Sequence, residues 1–353
     1  MEIQKALRDF KTKVDIEIEK YLNKVIQESS KEDRFITNAL KYIKKFSLSG
    51  GKRLRPALMY YAYLGVGGKK RQEILKTSVA IELIHIFLLI HDDIIDKDFK
   101  RHNVDTVNYY YQKIGKKMFQ DEEHFGNSMA IILGDMVGAL GNQIIFQSKF
   151  SSDLIIKALD KLQSIVSMTV IGEAQDVYIS YKKRATEKEI LKMYENKTAK
   201  YSLEGPMHLG AILGGATQKD LNKISQFSLP LGIAFQIQDD ILGIYGDEKK
   251  LGKPIGSDIR EGKQTILLIK ALKKVNSKEK KFMQSLIGKN RITLKEIRAY
   301  RQIMEKTGAK KYAQQLAQRK IDESKKIIHQ LKWNLTAKNF LLGVADYMQE
   351  REI

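Results

Sequence analysis

Helical periodicity runs through nearly the whole chain, which contains only four prolines in 353 residues. In residues 1–29, Phe10, Val14, Ile18 and Leu22 recur at helical spacing and form one apolar stripe. Almost no segment shows the alternation expected of a strand, and no low-complexity linker divides the chain. The sequence therefore predicts one all-α domain, residues 1–353, with a helical bundle core.

Glycine and proline mark the predicted helix boundaries. The glycine pair at residues 50–51, followed by Pro56, ends the second helix. The main predicted helices cover residues 1–29, 32–46, 71–96, 104–119, 124–149, 151–181, 187–199, 201–215, 218–246, 263–275, 278–287, 294–307, 309–331 and 336–350.

Composition narrows the function classes. A net charge of +20 suits nucleic acid, anionic lipid or phosphorylated small molecules as partners. No nucleic-acid-binding motif accompanies the charge, so most lysines are interpreted as solvated surface and no nucleic acid is expected. The absence of cysteine excludes disulfides and favours a cytoplasmic location. The N-terminus lacks the apolar core of a secretory signal, and the apolar runs are too short or interrupted for a transmembrane segment.

Acidic residues are concentrated at the end of one apolar helical segment, ELIHIFLLIHDDIIDKDFKRH, residues 82–102. Asp92 and Asp96 are four residues apart and share one helix face, and His85 lies seven residues before Asp92. An unpaired carboxylate in apolar surroundings costs several kcal/mol. The pattern therefore indicates that these acids bind something cationic.

A second apolar segment ends in the same way, at FQIQDDILG, where Asp239 and Asp240 follow Gln236. Two acid pairs that faced each other would repel unless divalent cations lay between them. Mg²⁺ prefers oxygen ligands and shares one or two carboxylates with substrate phosphates. Either motif alone also suits a helix cap or a solvated surface, but the recurrence favours a magnesium site.

Cationic residues accompany both acidic motifs. GGKRLRP presents Lys52, Arg53 and Arg55 behind two glycines, a composition suited to wrapping an anion. The others are Arg101, Lys197 with Thr198, Lys253 and Lys263. Each is typical of a protein surface when taken alone. Together they indicate two anionic substrates beside a metal cluster and an apolar cavity.

The motifs GGKRLRP, ELIH, HDDIID, NKTA, FQIQDD and GKPIGSD follow one another between residues 46 and 263. In this combination the chain resembles the trans-isoprenyl diphosphate synthases of the polyprenyl synthetase family. The resemblance implies an all-α bundle of the isoprenoid synthase type with a central apolar cavity. It also implies head-to-tail condensation of isopentenyl diphosphate with an allylic diphosphate, three Mg²⁺ ions and a homodimer.

The resemblance also assigns roles to the matching residues. Asp92 and Asp96 would bind two Mg²⁺ ions and Asp239 a third, with Asp93 and Asp240 as supporting acids. The residues implied to bind or orient the allylic diphosphate are Arg101, Lys197, Thr198, Gln236, Lys253 and Lys263. Those implied to bind isopentenyl diphosphate are Lys52, Arg55 and His85.

Two positions depart from the family pattern. Gly243 stands where the second motif usually has a third aspartate. Asp247, near the same face, is one candidate to compensate, and the alternative is that Asp239 alone suffices. We expect Gly243→Asp to be tolerated or mildly activating. His102 replaces an arginine implied to bind isopentenyl diphosphate. It stays a candidate for binding this substrate as a hydrogen-bond donor, although an imidazole is mostly neutral at pH 7.

Product length is predicted from the helix that precedes Asp92. Phe87, five residues earlier, lies about 7.5 Å from Asp92 along the helix axis. In the resembling family such an aromatic ring limits the prenyl tail, which implies geranylgeranyl diphosphate as the product. The medium-sized Leu88 argues against stopping at farnesyl. The alternatives are a farnesyl or longer product, with Phe87 only packing against a neighbouring helix.

Three other functions share some of these sequence features. A di-iron bundle would need a second Glu-x-x-His beside ELIH, and no convincing one is present. A terpene cyclase also uses an aspartate-rich helix, but the second acidic motif and GGKRLRP favour chain elongation. The departures at Gly243 and His102 leave open an inactive subunit of a heteromeric synthase.

Overall fold

The computed structural model describes residues 2–30, 33–118, 120–182, 184–246, 256–289 and 291–349. Within these ranges the chain is almost entirely helical, with one hairpin of two short strands. The chain forms two compact units. The N-terminal unit consists of Glu2–Asp160 and Leu209–Gly215, and the C-terminal unit of Lys161–His208 and Ala216–Ile353. The all-α prediction is confirmed, and the single domain over residues 1–353 stays a prediction.

The N-terminal unit is built from helices that each bury one apolar face. They are α1 (Ile3–Ser29), α2 (Arg34–Leu48), α3 (Leu54–Gly65), α4 (Arg71–Thr77), α5 (Val79–Ile95), α6 (Val107–Gly115) and α7 (Glu122–Phe146). The predicted stripe of α1 is buried at Phe10, Val14, Ile18 and Leu22. Asp33 begins α2 by accepting hydrogen bonds from two backbone N–H groups of its first turn.

Helix α5 lies along α7 at the centre of this unit. Glycines on α7 permit the close approach, because a Cβ at Gly138 would lie 3.3 Å from the ring of Phe87. A Cβ at Gly141 would lie 3.1 Å from the side chain of Ile84. The single helix predicted over residues 71–96 is divided at Ser78 into α4 and α5.

The C-terminal unit surrounds one long helix. Its elements are most of α8 (Ser152–Lys182), α9 (Glu187–Tyr194), a π-helix (Glu195–Glu204), the start of α10 (Gly205–Leu213), α11 (Gln218–Tyr245), α12 (Ser257–Arg260), α13 (Ile266–Leu272), α14 (Ser277–Leu286), α15 (Leu294–Lys306), α16 (Ala309–His329) and α17 (Leu335–Gln349). Helix α11 contacts the π-helix and α16 along much of its length. The sequence did not predict the π-helix, whose ten residues include NKTA.

Two helical stretches are long and apolar enough to cross a membrane by length and composition. They are residues 71–95 and 122–146, whose most apolar windows are 67% and 33% buried inside the protein. A core helix of a soluble protein has the same properties. These helices are therefore weak evidence either way, and the absence of a transmembrane segment stays a prediction.

Candidate active site

The first acidic motif lies at the C-terminal end of α5. Asp92 is 24% exposed at its side chain, whereas Asp93 is completely buried. Arg101 binds Asp93 through Nε–Oδ1 at 2.7 Å and Nη2–Oδ1 at 2.5 Å, and its Nη2 lies 3.5 Å from Asp92 Oδ2. Burial raises the pKa of Asp93 to about 6, against the opposing effect of Arg101. Asp96, at the helix end, is partly exposed.

A tight hairpin returns Arg101 to this helix end. Lys100–Arg101 pairs antiparallel with Val104–Asp105, and the turn residues His102 and Asn103 have φ of 48° and 65°. Two successive positive φ values match the turn type that two-residue hairpins favour. The hairpin therefore explains how a cation nine residues after Asp92 contacts the same acidic cluster.

The GGKRLRP loop is held in place by Arg53. Its side chain is 3% exposed and donates to Asp15 Oδ1 at 2.7 Å, Glu82 Oε1 at 2.6 Å and the Ser47 carbonyl at 2.7 Å. This buried arginine is therefore a structural anchor of the loop. Lys52 on its exposed side and the partly exposed Arg55 remain the candidates for binding an anion.

Positive charge surrounds the two histidines of this region. The pKa of His85 is lowered well below its usual value, first by burial and then by the charges of Arg55, Arg101, Arg53 and His102. The pKa of His102 is also lowered, by burial and by Arg101. A local field that disfavours protonated imidazole favours an anion. The structure thus places His85 and His102 among the cations that sequence analysis grouped with them.

Gly50 places the ring of His102 against the loop. A Cβ at this position would lie 2.6 Å from His102 Cδ2, so no larger residue fits without movement of the ring. His102 therefore lies directly against the GGKRLRP loop, and its contact with isopentenyl diphosphate stays a prediction.

The second acidic motif is organised by hydrogen bonds around Asp240. Its Oδ2 accepts a hydrogen bond from the Tyr194 hydroxyl, and its Oδ1 accepts from Gln236 Nε2 at 2.9 Å. Thr198 Oγ1 in turn donates to Gln236 Oε1 at 2.6 Å. Asp240 is buried, whereas Asp239 is partly exposed. Thr198 and Gln236 thus support Asp240, an arrangement that the sequence did not predict.

Lys197 is held by two acids of α8. Its Nζ lies 2.6 Å from Asp176 Oδ2 and 2.8 Å from Glu173 Oε2. The π-helix approaches α8 so closely that a Cβ at Gly172 would lie 2.6 Å from Lys197 Cα. The sequence motifs did not identify either acid, although their three-residue spacing in GEAQD places them on one helix face.

The remaining predicted residues are distributed as follows. Lys263 forms an ion pair with Glu261 at 2.5 Å. Lys253 and Asp247 lie outside the described residues. The Phe87 ring faces Gly138 of α7 and stacks edge-on with His91, and Leu88 is partly exposed. Phe87 therefore packs on a neighbouring helix, and its effect on product length stays a prediction.

Position 243, where we expect aspartate to be tolerated or mildly activating, lies against Asp258. A Cβ on Gly243 would lie 2.9 Å from Asp258 Cγ, 3.3 Å from its Oδ1 and still closer to its Oδ2. A side chain at this position therefore requires the carboxylate end of Asp258 to move, and the tolerance of Gly243→Asp stays a prediction. Sequence analysis did not single out Asp258.

Taken separately, each acidic motif has partly exposed acids of the kind that bind Mg²⁺ together with phosphate oxygens. Within the described ranges, no three His, Cys, Asp or Glu side chains are grouped to hold a metal by themselves. Asp92, Asp96 and Asp239 are the partly exposed acids of the two motifs. Mg²⁺ usually takes one or two carboxylates and completes its shell with water and phosphate oxygens.

Known proteins provide an independent comparison. The polyprenyl synthetase family model matches residues 33–304. The geranylgeranyl diphosphate synthase of Sulfolobus acidocaldarius is 38% identical over 275 residues, 77% of this chain and 78% of that protein. The enzyme of the same name from Saccharolobus solfataricus is 33% identical over 342 residues, covering 94% and 97%.

A solved structure shows the same fold. The geranylgeranyl pyrophosphate synthase of Corynebacterium glutamicum, complexed with isoprenyl diphosphate and magnesium, is 26% identical and has a TM-score of 0.93. The match covers 98% of this chain and 99% of that chain. The structural comparison and the sequence comparisons therefore both match this chain to geranylgeranyl diphosphate synthases.

Proposed function

Because the chain belongs to the polyprenyl synthetase family, we propose that it condenses isopentenyl diphosphate head-to-tail with an allylic diphosphate. It is a prenyltransferase that makes a short-chain all-trans prenyl diphosphate, geranylgeranyl diphosphate. The observation that carries the proposal is the contrast within each acidic motif. Asp92 and Asp239 are partly exposed, each beside a buried acid that protein donors already occupy.

The exposed and buried acids have different roles in this proposal. Asp92, Asp96 and Asp239 bind three Mg²⁺ ions, and Asp93 and Asp240 hold the motifs in shape. Bound Mg²⁺ supplies positive charge to the diphosphate that leaves. Lys197 forms an ion pair with Asp176, and Arg101 forms one with Asp93. When the substrate binds, both cations form hydrogen bonds to diphosphate oxygens.

The reaction needs two anions and protection from water. The allylic C–O bond breaks and its electrons leave with the diphosphate, while the double bond of isopentenyl diphosphate forms the new C–C bond. The proton lost from isopentenyl diphosphate goes to the released diphosphate. Lys52, Arg55 and His85 orient isopentenyl diphosphate, which makes the reaction effectively unimolecular. An apolar environment keeps water from the cationic carbon.

We also propose a cytoplasmic homodimer that associates through α7. Ile131, Ile132 and Phe146 lie on the outer face of this helix and are 47%, 61% and 70% exposed. A large exposed apolar patch usually marks an interaction surface. Light scattering should give twice the chain mass, and Ile132→Glu should give the monomer. A wild-type monomer at micromolar concentration would contradict the dimer.

A direct assay tests the proposed activity. The purified protein is incubated with radiolabelled isopentenyl diphosphate, Mg²⁺ and dimethylallyl, geranyl or farnesyl diphosphate, and the dephosphorylated products are separated by length. We expect a twenty-carbon product that disappears with a chelator and returns with Mg²⁺. Absence of product with all three allylic diphosphates would contradict the proposal and favour a non-catalytic role.

A further inference from the structure

Positive charge is concentrated in one short part of the C-terminal unit. Residues 264–304 contain eleven lysines and arginines but only two acids, whereas the whole chain has 62 and 42. These residues form α13, α14 and most of α15. A block of like charge creates a local positive field that a surface of balanced charge does not have. The charge of this unit therefore favours an anionic partner at these helices.

Helices α14 and α15 form an antiparallel helical hairpin. Lys306, at the end of α15, forms an ion pair at 2.7 Å with Glu279, at the start of α14. Lys289, just after α14, forms an ion pair at 2.6 Å with Glu296, at the start of α15. Each ion pair joins the start of one helix to the end of the other. The chain therefore runs back along α14 when it forms α15.

The two acids of this region are already bound within the hairpin. Glu279 and Glu296 each close a capping box, in which they accept hydrogen bonds from the backbone N–H groups of Asn276 and Thr293. Each also pairs with one of the two lysines above, so neither acid neutralises the other cations. The six exposed cations that remain form the basic surface: Lys278, Lys280, Lys281, Arg291, Lys295 and Arg298.

The hairpin buries its apolar side chains on the side opposite to this surface. Met283 and Leu286 on α14 are 0% and 1% exposed, and Ile297 and Tyr300 on α15 are 4% and 2% exposed. Packing of these residues fixes the orientation of both helices in the unit. The basic surface is therefore held on the outside by the core beneath it.

An exposed leucine accompanies the cations. Leu294, the first residue of α15, is 64% exposed and precedes Lys295. It lies four residues before Arg298 and therefore shares its helix face. The interface of a lipid bilayer takes up an apolar side chain while neighbouring lysines and arginines bind lipid phosphates. The backbone of a nucleic acid presents phosphates but no apolar layer for the leucine. The combination therefore favours a membrane over a nucleic acid.

We propose that the basic surface binds an anionic lipid membrane, with Leu294 entering the headgroup layer. The attachment is peripheral, and no helix of the hairpin crosses the bilayer. Each lysine or arginine close to an anionic membrane strengthens binding about fivefold, so six of them together support reversible attachment. This inference goes beyond the proposed function and does not depend on it.

Sedimentation with lipid vesicles tests the proposal on the full chain. The vesicles consist of phosphatidylcholine alone or of phosphatidylcholine mixed with phosphatidylglycerol. We expect the protein to sediment only with the vesicles that contain phosphatidylglycerol. Binding should weaken as salt is added, because salt screens exposed charges.

A pair of matched variants separates the basic surface from net charge. The test variant is Lys281→Glu/Lys295→Glu/Arg298→Glu. The control is Lys5→Glu/Arg8→Glu/Lys13→Glu, which reverses the same number of exposed charges on α1. We expect the test variant to bind anionic vesicles about tenfold or more weakly than wild type, and the control to differ by less than about threefold. Circular dichroism confirms that both are folded.

A fluorescent label tests the role of the leucine. The chain has no cysteine, so Leu294→Cys provides a single thiol for an environment-sensitive nitrobenzoxadiazole label. We expect its emission to shift to shorter wavelength when anionic vesicles are added, because the label enters a less polar layer. The same label on Thr12→Cys, an exposed position of α1, should not shift.

The proposal fails if wild type does not sediment with anionic vesicles, if both triple variants lose binding equally, or if the label at position 294 does not shift in vesicle-bound protein. Double-stranded DNA serves as the competing anion. Tighter binding to DNA than to the vesicles, lost in the same triple variant, would assign the basic surface to nucleic acid and overturn the proposal. Product formation by wild type is a separate measurement, so failure of the proposed function would leave the vesicle result standing.

Discussion

The hydroxyl of Tyr194 donates a hydrogen bond to Oδ2 of Asp240, the buried neighbour of the proposed metal ligand Asp239. The same hydroxyl accepts a hydrogen bond from the backbone N–H of Ile266 at 3.2 Å. One buried phenol thus joins the end of α9, the acidic end of α11 and the start of α13. Its loss would leave a buried carboxylate oxygen and a buried N–H each without this partner.

We therefore expect Tyr194→Phe to lower the free energy of unfolding by about 1–3 kcal/mol, the usual cost of leaving a buried polar group unsatisfied. Urea denaturation followed by circular dichroism would measure it. Tyr181→Phe is the control, since Tyr181 is 84% exposed, and it should be neutral. Equal stability of Tyr194→Phe and wild type would show that this hydrogen bond contributes nothing net.

The exposed acids should matter for turnover and not for folding. Asp92→Ala and Asp239→Ala remove proposed Mg²⁺ ligands that are partly exposed. We expect each to lower kcat by two or more orders of magnitude while the melting temperature changes little. Asp153→Ala serves as control, because its side chain is 71% exposed and pairs only with Lys157 among the described residues. Activity close to wild type in Asp239→Ala would contradict a metal role for the second motif.

Sequence patterns predicted the helices well because each buries a long apolar stripe. The boundaries of α7, α11 and α16 differ from prediction by at most three residues. The π-helix was missed because its residues Glu195–Glu204 have ordinary helical composition, and only hydrogen-bond spacing distinguishes it. The break at Ser78 and the hairpin at His102 were also missed, since both are short.

The order of the motifs along the chain indicated which residues lie near one another. It did not indicate which partners these residues contact. His85, His102 and Arg101 do lie together, as the motifs implied. Asp176, which pairs with Lys197, and Tyr194, which pairs with Asp240, lie 21 and 46 residues away from these partners on other helices, so no pattern along one helix predicts either pairing. The position of Asp258 over Gly243 depends on the path of a turn about fifteen residues later. Spacing along one helix contains no information about such a turn.

The two diphosphates should be separable by mutation. Lys52 and Arg55 belong to the GGKRLRP loop, whereas Lys197 is held by the acids of α8. We expect Lys52→Ala and Arg55→Ala to raise KM for isopentenyl diphosphate, and Lys197→Ala to raise KM for the allylic diphosphate, each about tenfold. Steady-state kinetics with each substrate varied in turn would measure this. Equal effects on both substrates in all three variants would refute the assignment.

Stability should fall in acid because of His208. Burial lowers the pKa of this side chain to about 4, against 6.5 in the unfolded chain, with Lys161 acting in the same direction and Glu204 opposing it. Between these two pH values the unfolded state binds a proton that the folded state does not. The folded state therefore loses stability as pH falls from 6.5 towards 4, by up to about 3 kcal/mol.

The variant His208→Gln isolates this contribution. It should be less stable than wild type at pH 7, because His208 Nε2 hydrogen-bonds the Leu221 carbonyl or Ser225. The difference in the free energy of unfolding between the variant and wild type should narrow as pH falls to 4.5. At this pH His208 of the wild type stays neutral in the folded state but binds a proton in the unfolded state, which destabilises the wild type. Chemical denaturation at several pH values would measure it. The exposed His124→Gln should show no such trend, and a constant difference for His208→Gln would contradict the expected pKa.

Product length should respond to the ring of Phe87. This ring lies on α5 between His91 and the surface of α7 at Gly138, where a Cβ would approach it to 3.3 Å. Replacing Phe87 with alanine removes a bulky ring about 7.5 Å from Asp92 along the helix axis, a distance comparable to one or two added isoprene units. We expect Phe87→Ala to make products longer than twenty carbons, at a stability cost of a few kcal/mol because the ring is partly buried. Chromatography of the dephosphorylated products would measure their lengths.

Phe35→Ala, at a ring on α2 that is 49% exposed, should leave the distribution of product lengths unchanged. If Phe87→Ala is active and its products keep the wild-type length, the ring only packs α5 against α7, and another part of the chain limits the tail.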